Sequence, residues 1–198
     1  MLHLTKPAFR VLGIAECFRK TQKKSILGAV SYRRDGIVDG FYVTWLTVGG
    51  LDATEKIVRL VKDTGRKDIN LIMLNGCIIS WFNIIDISSL YRETGIPIVC
   101  LSYEESEGLE HYIQEYFPGD EKRLSMYFKL GERKLVYIKN TRSYVYARFE
   151  GLEEKELREV LNIVTLHGKI PEPLRLAQNL ARAIHTFLSY NDPFFLLA

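Results

Sequence analysis

The sequence contains no apolar run that approaches the roughly 20 residues needed to cross a membrane. Its first nine residues, MLHLTKPAF, lack the long apolar segment of a secretory signal. No stretch has the composition of a linker, a repeat or a low-complexity segment. These absences predict an intracellular, cytoplasmic protein that has no membrane partner.

Cysteine is scarce, and its spacing suggests no pairing. The three cysteines, Cys17, Cys77 and Cys100, are odd in number and far apart. They suit neither a disulfide framework nor a CxxC metal site. Because Cys77 and Cys100 lie in or beside apolar runs, we interpret them as small buried hydrophobic residues.

Several motifs of small-molecule enzymes are also missing. The sequence has no phosphate-cradling GxxxxGK[ST], no dinucleotide fingerprint and no recognisable Ser-His-acid arrangement. Its four histidines, His3, His111, His167 and His185, show no metal-ligand spacing. A small-molecule enzyme therefore has little support, and we interpret the histidines as structural or exposed.

What is present fits one globular domain over residues 1–198. Hydrophobic residues make up 47% of the chain and charged residues 26%, which are ordinary values for a domain that buries its own core. The net charge of +3 is only a weak indication of a polyanionic partner. Nothing in the composition indicates an oligomeric state.

The first third of the chain predicts three antiparallel strands. Residues 9–15 (FRVLGIA) form a compact apolar run, and residues 25–32 and 37–48 are rich in Val, Ile, Thr, Tyr and Trp. The Asp35-Gly36 dipeptide between the second and third runs is a typical hairpin turn.

The remainder alternates strands with helices, which predicts parallel strands covered by helices. Strands are expected at residues 70–74 and 98–101, and a hairpin at about 133–139 and 144–149. Helices are expected at residues 52–64, 86–94, 107–117, 120–130, 153–166 and 173–190. Three antiparallel strands followed by parallel ones and flanking helices are the ribonuclease H-like plan, here with an extra C-terminal hairpin.

Six segments of the sequence resemble the archaeal endonuclease dU family, which is similar to endonuclease V. In chain order they are VLGIAECFRKTQ, VGGLDATEKI, IMLNGCIISWFNIID followed by TGIPIV, YEESEGLE, and GKIPEPLRLAQNLARAI. The resemblance runs nearly end to end. It implies a ribonuclease H-like fold and metal-dependent cleavage of DNA at deaminated bases such as deoxyuridine, with Mg²⁺ or Mn²⁺ as cofactor.

The resemblance also implies a set of acidic positions, and this chain departs from it at three places. The acidic pair after the first strand reads Ala15-Glu16, the Asp-Gly after the fourth strand reads Asn75-Gly76, and the His of the last helix is Gln178. An amide keeps an oxygen ligand but removes its charge, which should weaken a magnesium site.

The remaining candidates for catalysis are Glu16, Asp52, Glu55 and Asn75, with Glu16 and Asp52 as metal ligands. Each has an alternative interpretation. Glu16 could be a solvated carboxylate at a strand end, Asp52 a helix N-cap and Asn75 part of an Asn-Gly turn. Asp52 and Glu55 lie three residues apart, so they could share one helix face.

Basic residues follow the first strand and are candidates for nucleic-acid binding, because phosphate contacts favour lysine and arginine. The cluster comprises Arg19, Lys20, Lys23 and Lys24, with Arg33 and Arg34 assigned to the neighbouring hairpin end. A solvated loop is the alternative. Arg175 could contact phosphate or be a surface charge. Tyr42 or Trp45 could stack on a displaced base, although Trp45 fits a core position better.

Two functions remain open at this point. The first is an endonuclease acting on DNA with deaminated bases, its activity weakened or lost through the three departures. The alternative is a catalytically degenerate module that binds nucleic acid, DNA above all, or a protein.

Overall fold

The computed structural model describes Leu4 and residues 6–197 of the chain, which form nine strands and seven helices. The strands are β1 Arg10–Cys17, β2 Lys24–Arg33, β3 Val38–Thr47, β4 Leu71–Leu74, β5 Ile78–Ile79, β6 Asn83–Ile84, β7 Ile98–Ser102, β8 Lys134–Ile138 and β9 Ser143–Glu150. The helices are α1 Ala53–Asp63, α2 Ile87–Thr94, α3 Glu110–Tyr116, α4 Glu121–Lys129, α5 Glu154–Val164, α6 Glu172–Asn191 and α7 Pro193–Leu197.

Seven of the strands form one mixed sheet in the order β3-β2-β1-β4-β7-β9-β8. The first three are antiparallel neighbours, whereas β4 runs parallel to β1 and β7 parallel to β4. This arrangement confirms the predicted ribonuclease H-like fold. The predicted C-terminal hairpin, β8 and β9, extends the same sheet because β9 pairs antiparallel with β7.

Helices cover both faces of the sheet, and the short strand β4 shows why. All four of its residues are buried. Ile72 and Leu74 belong to the apolar cluster under α1 and α2, while Leu71 and Met73 belong to the cluster under α5 and the start of α6. Because alternate side chains point to opposite faces, a continuous apolar run is what a strand covered on both sides requires.

Helix α6 lies unusually close to the sheet because two glycines face it. A Cβ at Gly13 would lie 2.4 Å from the carbonyl carbon of Pro173, and one at Gly28 would lie 2.7 Å from the carbonyl oxygen of Ala177. These distances are far shorter than any non-bonded contact, so only glycine permits the approach. The close packing brings the polar side chains of α6 up to the ends of the strands.

The structure corrects the cysteine prediction in part. Cys77 and Cys100 are buried, as expected, but they are joined in a disulfide rather than acting as separate hydrophobic residues. Their Cα atoms lie 5.8 Å apart because the segment after β4 and the neighbouring strand β7 bring them together across 23 residues of sequence. Cys17 remains a free thiol.

The apolar C-terminal segment, α7, folds back onto the rest of the chain. Leu196 is fully buried in a cluster with Ile26 and Ala181, and its carbonyl oxygen accepts a hydrogen bond from the Lys23 N–H at 2.9 Å. Within the described residues, no helix combines the length and the apolarity needed to span a membrane.

Candidate nucleic-acid site at the strand ends

The ends of β1 and β4 meet at one edge of the sheet. These strands are parallel neighbours, with Ile14 opposite Leu74, and the Asn75 N–H donates to the Ile14 carbonyl at 2.9 Å. One small cleft is lined by Ala15, Glu16 and Asn75. The fold therefore gathers positions that the sequence separates by about 60 residues.

A chain of amide hydrogen bonds ties this edge to α6. Asn75 Nδ2 donates to Gln178 Oε1 at 2.7 Å, and Gln178 Nε2 donates to the Glu16 carbonyl oxygen at 2.8 Å. Asn75 and Gln178, two of the three positions at which the resemblance implies a departure, are thus direct partners. The Asn75 amide N–H thus satisfies the Gln178 amide oxygen, and this contact needs no cation.

Glu16 is a partly buried carboxylate with only neutral partners. Its Oε2 accepts from the Ser25 hydroxyl at 3.2 Å, and its Oε1 accepts a long hydrogen bond from the Ser80 N–H at 3.4 Å. Burial raises the pKa of Glu16 above its ordinary value, and these two hydrogen bonds offset the rise only in part. The site thus disfavours the charged carboxylate.

Ala15 lies on the other side of the strand from Ile14 and is buried in a small cluster with Val30 and Ala177 of α6. An acidic side chain at this position would be placed against apolar neighbours. The small Ala15 fits this position because it lets α6 pack closely against the sheet.

Asp52 precedes α1 at the predicted N-cap position, but it makes no side-chain cap bond to the helix. Its carboxylate turns back to accept hydrogen bonds from the Thr47 hydroxyl at 2.9 Å and from Asn83 Nδ2 at 2.6 Å. Asp52 and Glu16 share none of the hydrogen-bond partners found in the described residues. Glu55, one turn further along α1, is exposed.

The donor set at the strand ends is poor in charge for a magnesium site, which usually relies on carboxylates and retained waters. Glu16 supplies a carboxylate and Asn75 an amide oxygen, while the Gln178 amide oxygen already accepts from Asn75. In the part of the chain that the structure describes, no three His, Cys, Asp or Glu side chains gather where they could hold a metal ion. The assignment of Glu16 and Asp52 as metal ligands stays a prediction.

The basic cluster after β1 lies beside this edge. Arg19, Lys20 and Lys23 are exposed and Lys24 is partly buried. None of the four forms an ion pair with a carboxylate among the residues that the structure describes. Two of them rest on aromatic rings, with Lys20 Nζ 3.7 Å from the Trp81 ring centre and Lys24 Nζ 4.8 Å from that of Trp45.

Three other predicted cations lie elsewhere in the fold. In the antiparallel β1–β2 ladder, Arg33 lies opposite Arg10 at the start of β1. The expectation that Arg33 and Arg34 join the basic cluster was therefore wrong. An antiparallel strand of ten residues carries them about 30 Å from Lys24. The Arg175 guanidinium binds residues close to it in sequence. It donates to the Ile170 carbonyl at 3.1 Å and to the Glu172 carboxylate at 3.3 Å.

The described histidines take no part in the cleft. His111 and His167 are exposed, and His3 lies outside the described residues. His185 is buried on α6 with its Nε2 2.7 Å from Gln22 Oε1. Burial, together with the nearby Arg19 cation, lowers the pKa of His185, which suits a neutral structural side chain.

Sequence reasoning missed the residues that hold the neighbouring loops. Buried Asn83 donates to Asp52 and accepts from the Ala53 N–H at 3.0 Å, so it joins the loop before α1 to the β5–β6 hairpin. Buried Arg123 of α4 donates to the carbonyl oxygens of Gly49 at 2.8 Å and Gly50 at 3.0 Å. No periodic pattern marks such residues, since their partners are backbone groups distant in sequence.

With this geometry established, comparison with known proteins identifies the family. The sequence model of the Endonuclease dU family matches residues 7–185. The chain belongs to this family. A protein named UPF0215 protein from the archaeon Pyrobaculum calidifontis is 35% identical over 179 residues, which is 90% of this chain and 98% of that one.

Solved structures support the fold of this endonuclease dU family member. A crystal structure of an Archaeoglobus fulgidus protein of unknown function superposes with a TM-score of 0.76 at 28% identity, covering 89% of this chain and 98% of that one. Ciona intestinalis endonuclease V, solved with a 24mer DNA containing an inosine, superposes with a TM-score of 0.61 at 12% identity, covering 91% and 87% of the two chains. At that identity the likeness concerns the fold alone.

Proposed function

We propose that this chain binds nucleic acid containing deaminated bases, with DNA containing deoxyuridine as the first candidate, and that its metal-dependent phosphodiester hydrolysis is weakened or lost. Membership of the endonuclease dU family supports a nuclease-like role. The hydrogen bond between Asn75 and Gln178 carries the second part of the proposal.

Charge supports both parts of this proposal. Hydrolysis of a phosphodiester with Mg²⁺ or Mn²⁺ needs anionic ligands that hold the cation against the substrate. The amide pair supplies none, and Glu16 lies where burial raises its pKa. The four cations after β1 have no carboxylate partner among the described residues, and phosphate oxygens are the partners they fit.

The first test is cleavage of labelled duplexes carrying deoxyuridine, deoxyinosine or no lesion, with Mg²⁺ or Mn²⁺. We expect little lesion-dependent cleavage by the wild type. We expect the double variant Asn75→Asp plus Gln178→His to raise it by at least about tenfold, because a charged ligand set stabilises the developing charge. Adding Ala15→Asp tests the third departure, with thermal unfolding to check that a carboxylate in the apolar cluster is tolerated.

Two controls make the result interpretable. Glu16→Ala plus Asp52→Ala in the restored background should abolish any gained activity, which excludes a contaminating nuclease. Binding of the uncleaved duplex should weaken steeply as salt rises, since lysine and arginine release counterions from phosphates. Efficient lesion-dependent cleavage by the wild type, lost on Glu16→Ala, would overturn the proposal and identify a working endonuclease.

A further inference from the structure

The turn that joins β5 to β6 has an unusual backbone. Its three residues, Ser80, Trp81 and Phe82, have φ angles of 45°, 62° and 59°, and none of them is glycine. Left-handed conformations are costly for residues with a Cβ, and three in succession require strong support from the surroundings. Such conformations cluster at functional sites, where the fold fixes a side chain in a required place.

Both ends of this turn are anchored, and the Ser80 end lies beside Glu16. The Ser80 hydroxyl donates to the Ser25 hydroxyl at 2.7 Å, and the Ser80 carbonyl accepts from the Gly49 N–H at 2.8 Å. At the other end, the Phe82 carbonyl accepts a hydrogen bond from buried Arg123. The anchors hold the backbone of the flanking residues and leave Trp81 at the tip.

The Trp81 ring is partly exposed and lies between aromatic and cationic groups. Its ring centre is 4.8 Å from that of Tyr116, which is 45% exposed, and 5.3 Å from that of Phe82. The ammonium group of Lys20, from the basic cluster, lies 3.7 Å from the ring centre. A partly exposed indole beside a lysine can bind a base through stacking and its phosphate through charge.

The other tryptophan of the chain is a matched contrast. Trp45 lies in regular β3 and packs against the buried cluster of Ile26, Ala181 and Leu196. Its ring also carries cations, Lys24 and Lys56, yet its packing explains its place in the sequence. Trp81, in contrast, lies in a strained turn near the strand ends. It directly follows Ser80, whose N–H donates to Glu16.

We propose that Trp81 and Lys20 form a stacking site for an unpaired base of single-stranded or locally opened DNA. The base would stack on the indole, and Lys20 would move from the ring to the neighbouring phosphate. This inference rests on the proposed function and adds to it a residue that distinguishes an unpaired base from a paired one.

The test is binding of the full chain to a labelled single-stranded oligonucleotide about 15 nucleotides long, followed by fluorescence anisotropy over a range of salt. We expect Trp81→Leu to weaken binding about tenfold with no change in the salt slope, because stacking is lost and no charge is removed. Trp81→Phe should retain most of the affinity. Lys20→Met should reduce the slope of log K against log salt by about 0.7, the value for one phosphate contact on a single strand.

Trp45→Phe serves as control and as a second measurement. It should bind like the wild type, and it leaves Trp81 as the only tryptophan, since the chain has two. Its emission should then be quenched when the oligonucleotide binds, even if Trp81→Leu folds poorly. Unchanged affinity of Trp81→Leu together with unquenched emission would overturn the stacking site while leaving salt-dependent binding intact. No binding by the wild type at low salt would overturn the proposed function as well.

Discussion

At the end of the sheet where β1 begins, Asp39 accepts hydrogen bonds from Arg10 at 2.9 Å, Arg66 at 3.1 Å and Ser31 at 2.7 Å. Where β1 ends, Glu16 accepts only from a serine hydroxyl and a peptide N–H. Burial acts against the charge of both carboxylates. At Asp39 the hydrogen bonds outweigh it and lower the pKa, whereas at Glu16 burial prevails and raises the pKa.

The two ends differ in how their charged side chains are compensated. At the Asp39 end, cations and carboxylates satisfy one another within the chain, and Asp68 completes the network through Arg66 and Arg10. At the Glu16 end, the lysines after β1 have no carboxylate partner in the described residues, and buried Arg123 binds backbone carbonyls as well as Asp120. The nucleic acid proposed above as partner would supply negative charge to this end of the sheet.

The largest expected effect concerns the buried cation of the Glu16 end. Arg123→Met should lower the free energy of unfolding by about 3 kcal/mol or more, because the carbonyls of Gly49, Gly50 and Phe82 lose a buried donor and Asp120 loses its ion pair. Urea unfolding of the purified proteins measures this change. The neighbouring exposed Lys122→Ala should cost less than about 0.5 kcal/mol. Equal effects of the two substitutions would mean that Arg123 does not support the loops.

The fold was largely predictable because its signals are local and repetitive. The apolar runs of β1, β4 and β7 and the Asp35-Gly36 turn correspond to strands and a hairpin in the structure. The convergence of Ala15, Glu16, Asn75 and Gln178 was also accessible, since the resemblance supplied the positions and parallel strands supplied the geometry.

What could not be predicted depends on contacts between segments distant in sequence. The short hairpin of β5 and β6 has no alternating pattern, and its left-handed turn uses serine and aromatic residues where glycine or asparagine would be expected. The Cys77–Cys100 disulfide required knowledge that the two segments are neighbours. Arg123 looks like a helix-surface charge until its backbone partners are placed.

The next largest effect on the free energy of unfolding is expected at the Asp39 end of the sheet. Asp39→Asn should cost about 1–2 kcal/mol near neutral pH, a modest value because the carboxylate is 24% exposed and water screens the ion pairs. Since the folded pKa of Asp39 lies below its ordinary value of 3.8, the stability it contributes is present above that pH and is lost as the pH falls through the folded pKa. The cost of the substitution should shrink accordingly in acid.

Asp63→Asn is the matched control for this experiment, because Asp63 pairs with Arg59 across one turn of α1 and both side chains are more than two-thirds exposed. It should change the free energy of unfolding by less than about 0.5 kcal/mol at either pH. An Asp39→Asn cost that does not depend on pH would show that hydrogen-bond geometry, rather than charge, holds this end together.

The smallest effect has the opposite sign and comes from Glu16. A carboxyl whose folded pKa is raised binds more protons in the folded state between its unfolded and folded pKa values. The free energy of unfolding therefore decreases as the pH rises above the ordinary value of 4.5 and through the folded pKa of Glu16. Burial is the physical cause, and the hydrogen bonds from Ser80 and Ser25 offset it only in part.

Glu16→Gln removes this proton-linked loss while keeping an oxygen that can accept from Ser25 and Ser80. We expect the free energy of unfolding of the variant, relative to that of the wild type, to be higher at pH 8 than at pH 4. Urea unfolding of both proteins at the two pH values measures this difference. Glu55→Gln, which changes an exposed carboxylate on α1, should show the same difference from the wild type at both. If the stability of Glu16→Gln relative to the wild type instead falls as the pH rises, a cation must reach Glu16 in solution. The two ends of the sheet would then not differ in how their carboxylates are compensated. Repeating the titration with Mg²⁺ and then Mn²⁺ identifies that cation, because a metal that binds the carboxylate lowers its folded pKa and reverses the sign of the effect.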